Sequence, residues 1–198
     1  MTVRIIASAL ALICTALAPT NARAAPVTID VRGRDGTPLV DAVVMVEVAG
    51  VRPPVPHGPY VVEQKGIAFQ PHVLVVPVGA SVAFPNRDSV RHHVYSFSKA
   101  KKFDLKLYGR EDQRSVVFNT AGVVALGCNI HDTMSGFVIV SATPYAAKVN
   151  AAGRVTFDVP PGTATVRVWS PSIRAAGNTR SQTSTIAATG FATTYTIR

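Results

Sequence analysis

The stretch that most constrains this 198-residue chain is Gly127-Cys128-Asn129-Ile130-His131-Asp132-Thr133-Met134, where a thiol, an imidazole and a thioether follow at Cys-x2-His-x2-Met spacing. Apolar runs flank it, Val123-Val124-Ala125-Leu126 before and Phe137-Val138-Ile139-Val140 after. That pattern predicts a strand, a ligand loop and a return strand. Soft sulfur donors with imidazole suit copper, and a trigonal site of two histidines and one cysteine with a distant methionine would need one more imidazole than the loop supplies. The plain alternative is a metal-free loop with an ordinary thiol. Three donors in the right order between two strands argue against it.

A second donor is available in Phe84-Pro85-Asn86-Arg87-Asp88-Ser89-Val90-Arg91-His92-His93-Val94-Tyr95-Ser96-Phe97, where a strand breaks at Pro85 and resumes at the paired histidines. Adjacent strand residues point to opposite faces, so only one of His92 and His93 can face a metal. Strand alternation by itself leaves the choice open. Here the sequence resembles the cupredoxins, the small blue-copper proteins. Their first ligand histidine follows an Asn-containing turn and is succeeded, one residue on, by an apolar strand residue, a pattern matched by Asn86, His92 and Val94. The resemblance covers Tyr60 to Ser141 and favours His92. It implies one type 1 copper ion held by His92, Cys128, His131 and Met134. The short ligand loop is similar to that of amicyanin and shorter than those of plastocyanin and azurin. This implies an electron carrier, in a setting such as amine oxidation.

The resemblance also implies roles. Cys128 would supply the covalent thiolate, His92 the interior imidazole, Met134 the weak axial contact, and His131 the surface exit for the electron, with Ile130 and Thr133 beside it. The residue after the first ligand is His93 where the family more usually has Asn, so the surroundings of the thiolate depart from the family pattern. Asp132 places a carboxylate next to His131, which should favour the oxidised, more positive metal.

Met1 to Ala24 reads as a cleavable leader. Arg4 precedes the apolar run Ile5–Ala18, and Ala22-Arg23-Ala24 fits a small-x-small cleavage site, with the mature chain starting at Ala25. A membrane anchor is the competing reading, but the run is shorter than the ~20 apolar residues a span needs. A periplasmic or secreted location follows. Cys128 is then the sole cysteine of the mature chain in a disulfide-forming compartment, and ligation would protect its thiolate from oxidation.

Sparse charge, 14 prolines, 14 glycines and recurring Val and Thr runs predict an all-β protein. The middle is expected to be a cupredoxin Greek-key β-sandwich. Val27–Arg32, the turn Gly33-Arg34-Asp35-Gly36-Thr37-Pro38 and Val43–Val48 resemble the opening of transthyretin-like or carboxypeptidase-regulatory-like sandwiches. The closing strands of such a module come only after the metal loop, at Gly153–Val159, Pro160-Pro161-Gly162 and Thr163–Trp169. The expected organisation is therefore a small sandwich from residues 25–50 and 142–198, with the copper domain, 60–141, inserted after a Pro-rich linker, 51–59. A single enlarged cupredoxin is the alternative. Trp169 is expected to pack the terminal sandwich, and His72 to be a hydrogen-bonded polar residue rather than a surplus ligand.

The full chain carries a net charge of +9, and loss of Arg4 and Arg23 with the leader leaves +7. Much of the excess lies in Lys99, Lys101, Lys102, Lys106, Arg110 and Arg114. These form either a solvated face or a patch that steers an acidic redox partner protein. No nucleic-acid motif is present, and the mature chain has no apolar span. No paired carboxylates, nucleophile with a base, or second metal centre suggests an enzyme. A copper-delivery protein would need exchangeable metal and additional Met or His donors, whereas the mature chain has only the methionines Met45 and Met134; a metal-free sandwich for adhesion or accessory binding is the third alternative.

Overall fold

The computed structural model describes residues 23–197; the predicted leader, apart from Arg23 and Ala24, lies outside the described residues. The chain is all-β. It opens with β1 (Ala25–Gly33) and β2 (Val43–Val48), then crosses residues 51–59 without a strand. The central strands are β3 (Tyr60–Val61), β4 (Glu63–Gln64), β5 (Phe69–Gln70), β6 (Val73–Pro77), β7 (Ala80–Ala83), β8 (His92–Ser98), β9 (Lys101–Tyr108), β10 (Ser115–Phe118), β11 (Gly122–Gly127) and β12 (Ser135–Ser141). The last five are β13 (Tyr145–Lys148), β14 (Arg154–Val159), β15 (Gly162–Trp169), β16 (Thr179–Ile186) and β17 (Phe191–Ile197).

The central strands form a five-stranded sheet, β6-β12-β11-β8-β9, facing a three-stranded sheet, β10-β7-β3. Phe84, Val94, Tyr108, Phe118, Val124 and Val138 fill the space between them. The end strands form two further sheets, β14-β1-β17 and β13-β2-β15-β16, around a separate cluster that includes Val27, Ile29, Val44, Val46, Val166 and Val168. In β1 the alternation is clean: Ala25, Val27, Ile29 and Val31 are buried, with more exposed residues between them. Such alternation is what a sheet with one buried face requires.

Strand β2 does not alternate, because both of its faces are covered. Val44 and Val46 point into the end cluster, whereas Val43 and Met45 join Val73, Ile139 and Trp169 in a third buried cluster. Strand β12 behaves likewise, with Val138 and Val140 in the central core and Ile139 in the seam. The four-stranded end sheet and the five-stranded central sheet therefore pack back to back. Trp169 belongs to this seam and not to the interior of the end strands. Its neighbour Val168 faces that interior, and successive strand residues must point opposite ways. The indole lies edge-on to Phe137 of β12, with ring centroids 4.9 Å apart.

The Ser- and Thr-rich segment after Ser172 contains β16, which pairs along the whole of β15 as an exposed sheet edge. Its polar residues keep that edge from offering an apolar strand to another chain. Among the described residues, no helix is long and apolar enough to cross a membrane.

Candidate metal centre

The turn before β8 is built by Asn86. Its buried side-chain amide donates to Val90 O (2.8 Å) and Tyr108 O (3.2 Å), and its oxygen accepts the Asp88 N–H (2.8 Å). This Asx-type arrangement folds the backbone, and a parallel bridge to Gln64 of β4, through Gln64 N–H to Pro85 O (3.0 Å) and Arg87 N–H to Gln64 O (2.8 Å), holds it in place. Behind it, the Tyr108 hydroxyl donates to Phe84 O (2.6 Å) and receives the Gln64 amide (2.6 Å). Burial pushes the Tyr108 phenol up to about 12, so it stays a neutral donor. The β8–β9 register then shifts between His93 and Tyr95, an irregularity of the kind that re-aims side chains beside functional sites.

The outcome is that His92 enters the core and is fully buried. Strand β11 ends at Gly127 and delivers Cys128, 5 % exposed, to the same place. The loop that follows brings His131 back over the pair. His92 Nδ1 lies 3.2 Å from His131 Nδ1, and Cys128 Sγ lies 3.8 Å from His131 Nδ1. One donor atom from each of the three residues falls within 4.8 Å of the others.

These spacings fit a bound first-row metal ion. Metal–nitrogen bonds of about 2.0 Å and a metal–sulfur bond of about 2.3 Å, spread in a plane around one ion, put the two nitrogens about 3.5 Å apart and sulfur about 3.7 Å from each. The donor set of two imidazoles and one thiol, with a thioether in the same loop, selects copper over hard, oxygen-seeking cations.

Asp88 fixes which nitrogen of His92 is free. Its carboxylate lies 2.8 Å from His92 Nε2 and also accepts the backbone N–H groups of Gly66 (2.7 Å) and Ile67 (2.9 Å). Burial raises the Asp88 pKa, but the Ile67 and Gly66 amides and His92 outweigh it and hold the carboxyl below its ordinary value. An ionised carboxylate only accepts, so Nε2 carries a proton, and in the neutral imidazole Nδ1 is the nitrogen left with a lone pair facing the site. Sequence reasoning did not find Asp88. The available sign was a carboxylate four residues before the histidine, inside the Asn86 turn.

The other residues singled out in the sequence fall as follows. Met134 is 2 % exposed and belongs to the same buried cluster as Cys128; its N–H donates to His131 O (2.9 Å), closing the loop. His131 is half-buried, while Ile130, Asp132 and Thr133 are exposed. The Asp132 carboxylate forms no hydrogen bond or ion pair among the described residues. His93 faces away from the cluster, with Nε2 2.5 Å from Asp104. Lys106 and His93 together hold the Asp104 carboxyl well below the usual range. His72 pairs with Asp41 (2.9 Å) and sits edge-on to Phe137, apart from the cluster, and His57 is exposed.

Part of the predicted basic patch serves the fold. Arg110 donates to Asp88 O (2.8 Å) and Arg87 O (2.5 Å), tying down the turn from outside. Arg114 pairs with Asp112 (2.8 Å), donates to Leu105 O, and lies over the Tyr108 ring. Lys106 pairs with Asp104 (2.6 Å).

No protein-family model matches the sequence, and a comparison with curated proteins finds no match. Among solved structures, the chain is similar to a purple cupredoxin from Nitrosopumilus maritimus, at 26% identity and a TM-score of 0.38, over 42% of this chain and 100% of that one. It is also similar to a copper-containing nitrite reductase from Thermus scotoductus SA-01, at 25% identity and a TM-score of 0.41, over 49% of this chain and 25% of that one. A reduced mutant of amicyanin overlaps 50% of this chain and 98% of its own, at 24% identity and a TM-score of 0.40. Overlaps of this size leave the assignment of the metal centre to the side-chain geometry above.

Proposed function

We propose that the chain is an exported type 1 copper protein that carries electrons, with His92, Cys128 and His131 as the in-plane donors and Met134 as the weak axial one. The observation that supports this most is the convergence of two imidazole nitrogens and one thiol sulfur within 4.8 Å, in a place buried on one side and reached from the surface on the other. Copper bound there would supply a one-electron couple.

What the protein contributes is restraint. His92 is anchored by Asp88 and enclosed by the core, and Cys128 is shielded from water and oxidants. His131 is tied into its loop by the Met134 amide. Donors held this firmly move little when the site gains or loses charge, which favours fast outer-sphere transfer. His131, half-buried beside the exposed Ile130, is the natural exit. The partner is a redox protein; Lys99, Lys101 and Lys102 sit at the β8–β9 turn, the end of β8 remote from His92, and would draw an acidic partner by long-range attraction rather than dock it at His131.

The leader would direct the chain to the periplasm or outside the cell, with cleavage after Ala24. Residues 25–50 and 142–198 are proposed as a small sandwich into which the copper domain, 60–141, is inserted through the linker 51–59. The test is voltammetry on the mature protein loaded with one equivalent of copper. The electron-carrier reading expects a reversible wave that accounts for one electron per copper, with the metal retained in both states. Copper lost to a competing chelator on reduction would instead make this a delivery protein.

A further inference from the structure

The Asp88 carboxylate makes three contacts, two to backbone amides and one to His92. Its two carboxylate oxygens take the Gly66 and Ile67 amides, so the loop between β4 and β5 fixes the carboxylate independently of His92. The remaining acceptor capacity is spent on His92 Nε2 at 2.8 Å, and that imidazole is 0% exposed. The Asp88 side chain is itself only 16% exposed, so little solvent screens the pair. The Arg110 guanidinium reaches the Asp88 backbone carbonyl and not its carboxylate, leaving the negative charge directed at the histidine.

We infer that Asp88 is a positioning residue that forms a carboxylate–histidine–copper relay with His92, fixing its tautomer and biasing the site toward the cupric state. The inference rests on the copper reading above and deepens it. A carboxylate behind a ligand imidazole makes the imidazole a stronger donor and orients its ring, and loss of such a partner typically weakens metal binding 10- to 100-fold. The stronger donor and the nearby negative charge both favour the more positive metal. Removing them should therefore weaken cupric binding more than cuprous binding.

Asp88→Asn is the discriminating variant. An amide oxygen placed where Oδ2 now lies keeps the contacts to Ile67 and His92, while the charge and the Gly66 hydrogen bond are lost. In the mature chain loaded with copper alone, the cupric-to-cuprous affinity ratio should fall at least tenfold. A tenfold fall is a rise of about 59 mV in midpoint potential for a one-electron couple. A retained visible band with an unchanged midpoint would overturn the inference. A second readout needs no metal: nitrogen-15 NMR of the metal-free protein should find His92 protonated at Nε2 alone, and mixed tautomers in Asp88→Ala. If the wild-type protein fails to bind copper, the electron-carrier reading falls, and the NMR result still decides the role of Asp88. Identical tautomer populations in wild type and Asp88→Ala would refute it.

Discussion

His92 and His93 are joined by one peptide bond and serve opposite faces of β8. His92 is buried with Nδ1 3.2 Å from His131 Nδ1, and His93 reaches outward to Asp104 at 2.5 Å. The two should therefore respond differently to substitution. His92→Ala removes a donor from the cluster and should abolish the visible cupric absorption. His93→Gln gives up the Asp104 pair and the packing against Tyr95 on the face away from the cluster, and should leave the band and the copper stoichiometry unchanged. Spectra of the two purified variants with one equivalent of cupric ion decide the matter.

Met134 tests the axial role. Replacing it with Leu nearly conserves volume, so the stability cost should stay below about 1.5 kcal/mol. The thioether is lost and the surroundings become more apolar, both of which disfavour the cupric ion. The midpoint potential should rise with the blue colour retained. An unchanged potential and spectrum would mean that the sulfur of Met134 does not touch the metal.

The seam between the two pairs of sheets depends on Trp169, which is fully buried against Phe137, Val73 and Ile139. Trp169→Ala should cost about 3–5 kcal/mol, the usual range for emptying so large a site. Urea denaturation should show this as a lower midpoint. It should also show the end strands and the central strands beginning to unfold separately, because the shared cluster holds them together.

Asp30 and Arg154 stand directly opposite on β1 and β14 and form a two-pronged ion pair at 2.9 Å. The Arg154 guanidinium lowers the Asp30 pKa from its ordinary 3.8. A group depressed on folding adds stability above its unfolded pKa and loses that contribution as pH falls through the folded value. Asp30→Asn should therefore be less stable than wild type near neutral pH, and the gap should close in acid below 3.8. Thermal melts across that range provide the check.

Much of this was readable in advance where chemistry and periodicity agree. The Cys-x2-His-x2-Met loop and the Asn86 turn located three residues that do converge, because a short loop between paired strands leaves its side chains little choice of place. The unbroken run Val43-Val44-Met45-Val46 is the mark of a strand covered on both faces, since a half-buried strand would alternate. That run and Phe137-Val138-Ile139-Val140 foreshadowed the seam, and hence the true setting of Trp169. Strand β16 escaped notice because an exposed edge of Ser and Thr has no apolar rhythm. Asp88 escaped because its partners, Gly66, Ile67 and His92, are brought to it only by the fold.

The account stands or falls on whether the thiol of Cys128 and the imidazoles of His92 and His131 bind one copper ion together. The most direct measurement is a cupric titration of the mature protein followed by visible absorption. An intense band toward the red that saturates at one copper per chain and vanishes in Cys128→Ser is the predicted result. Weak absorption of the wild type, or a band that survives the loss of Cys128, would contradict it.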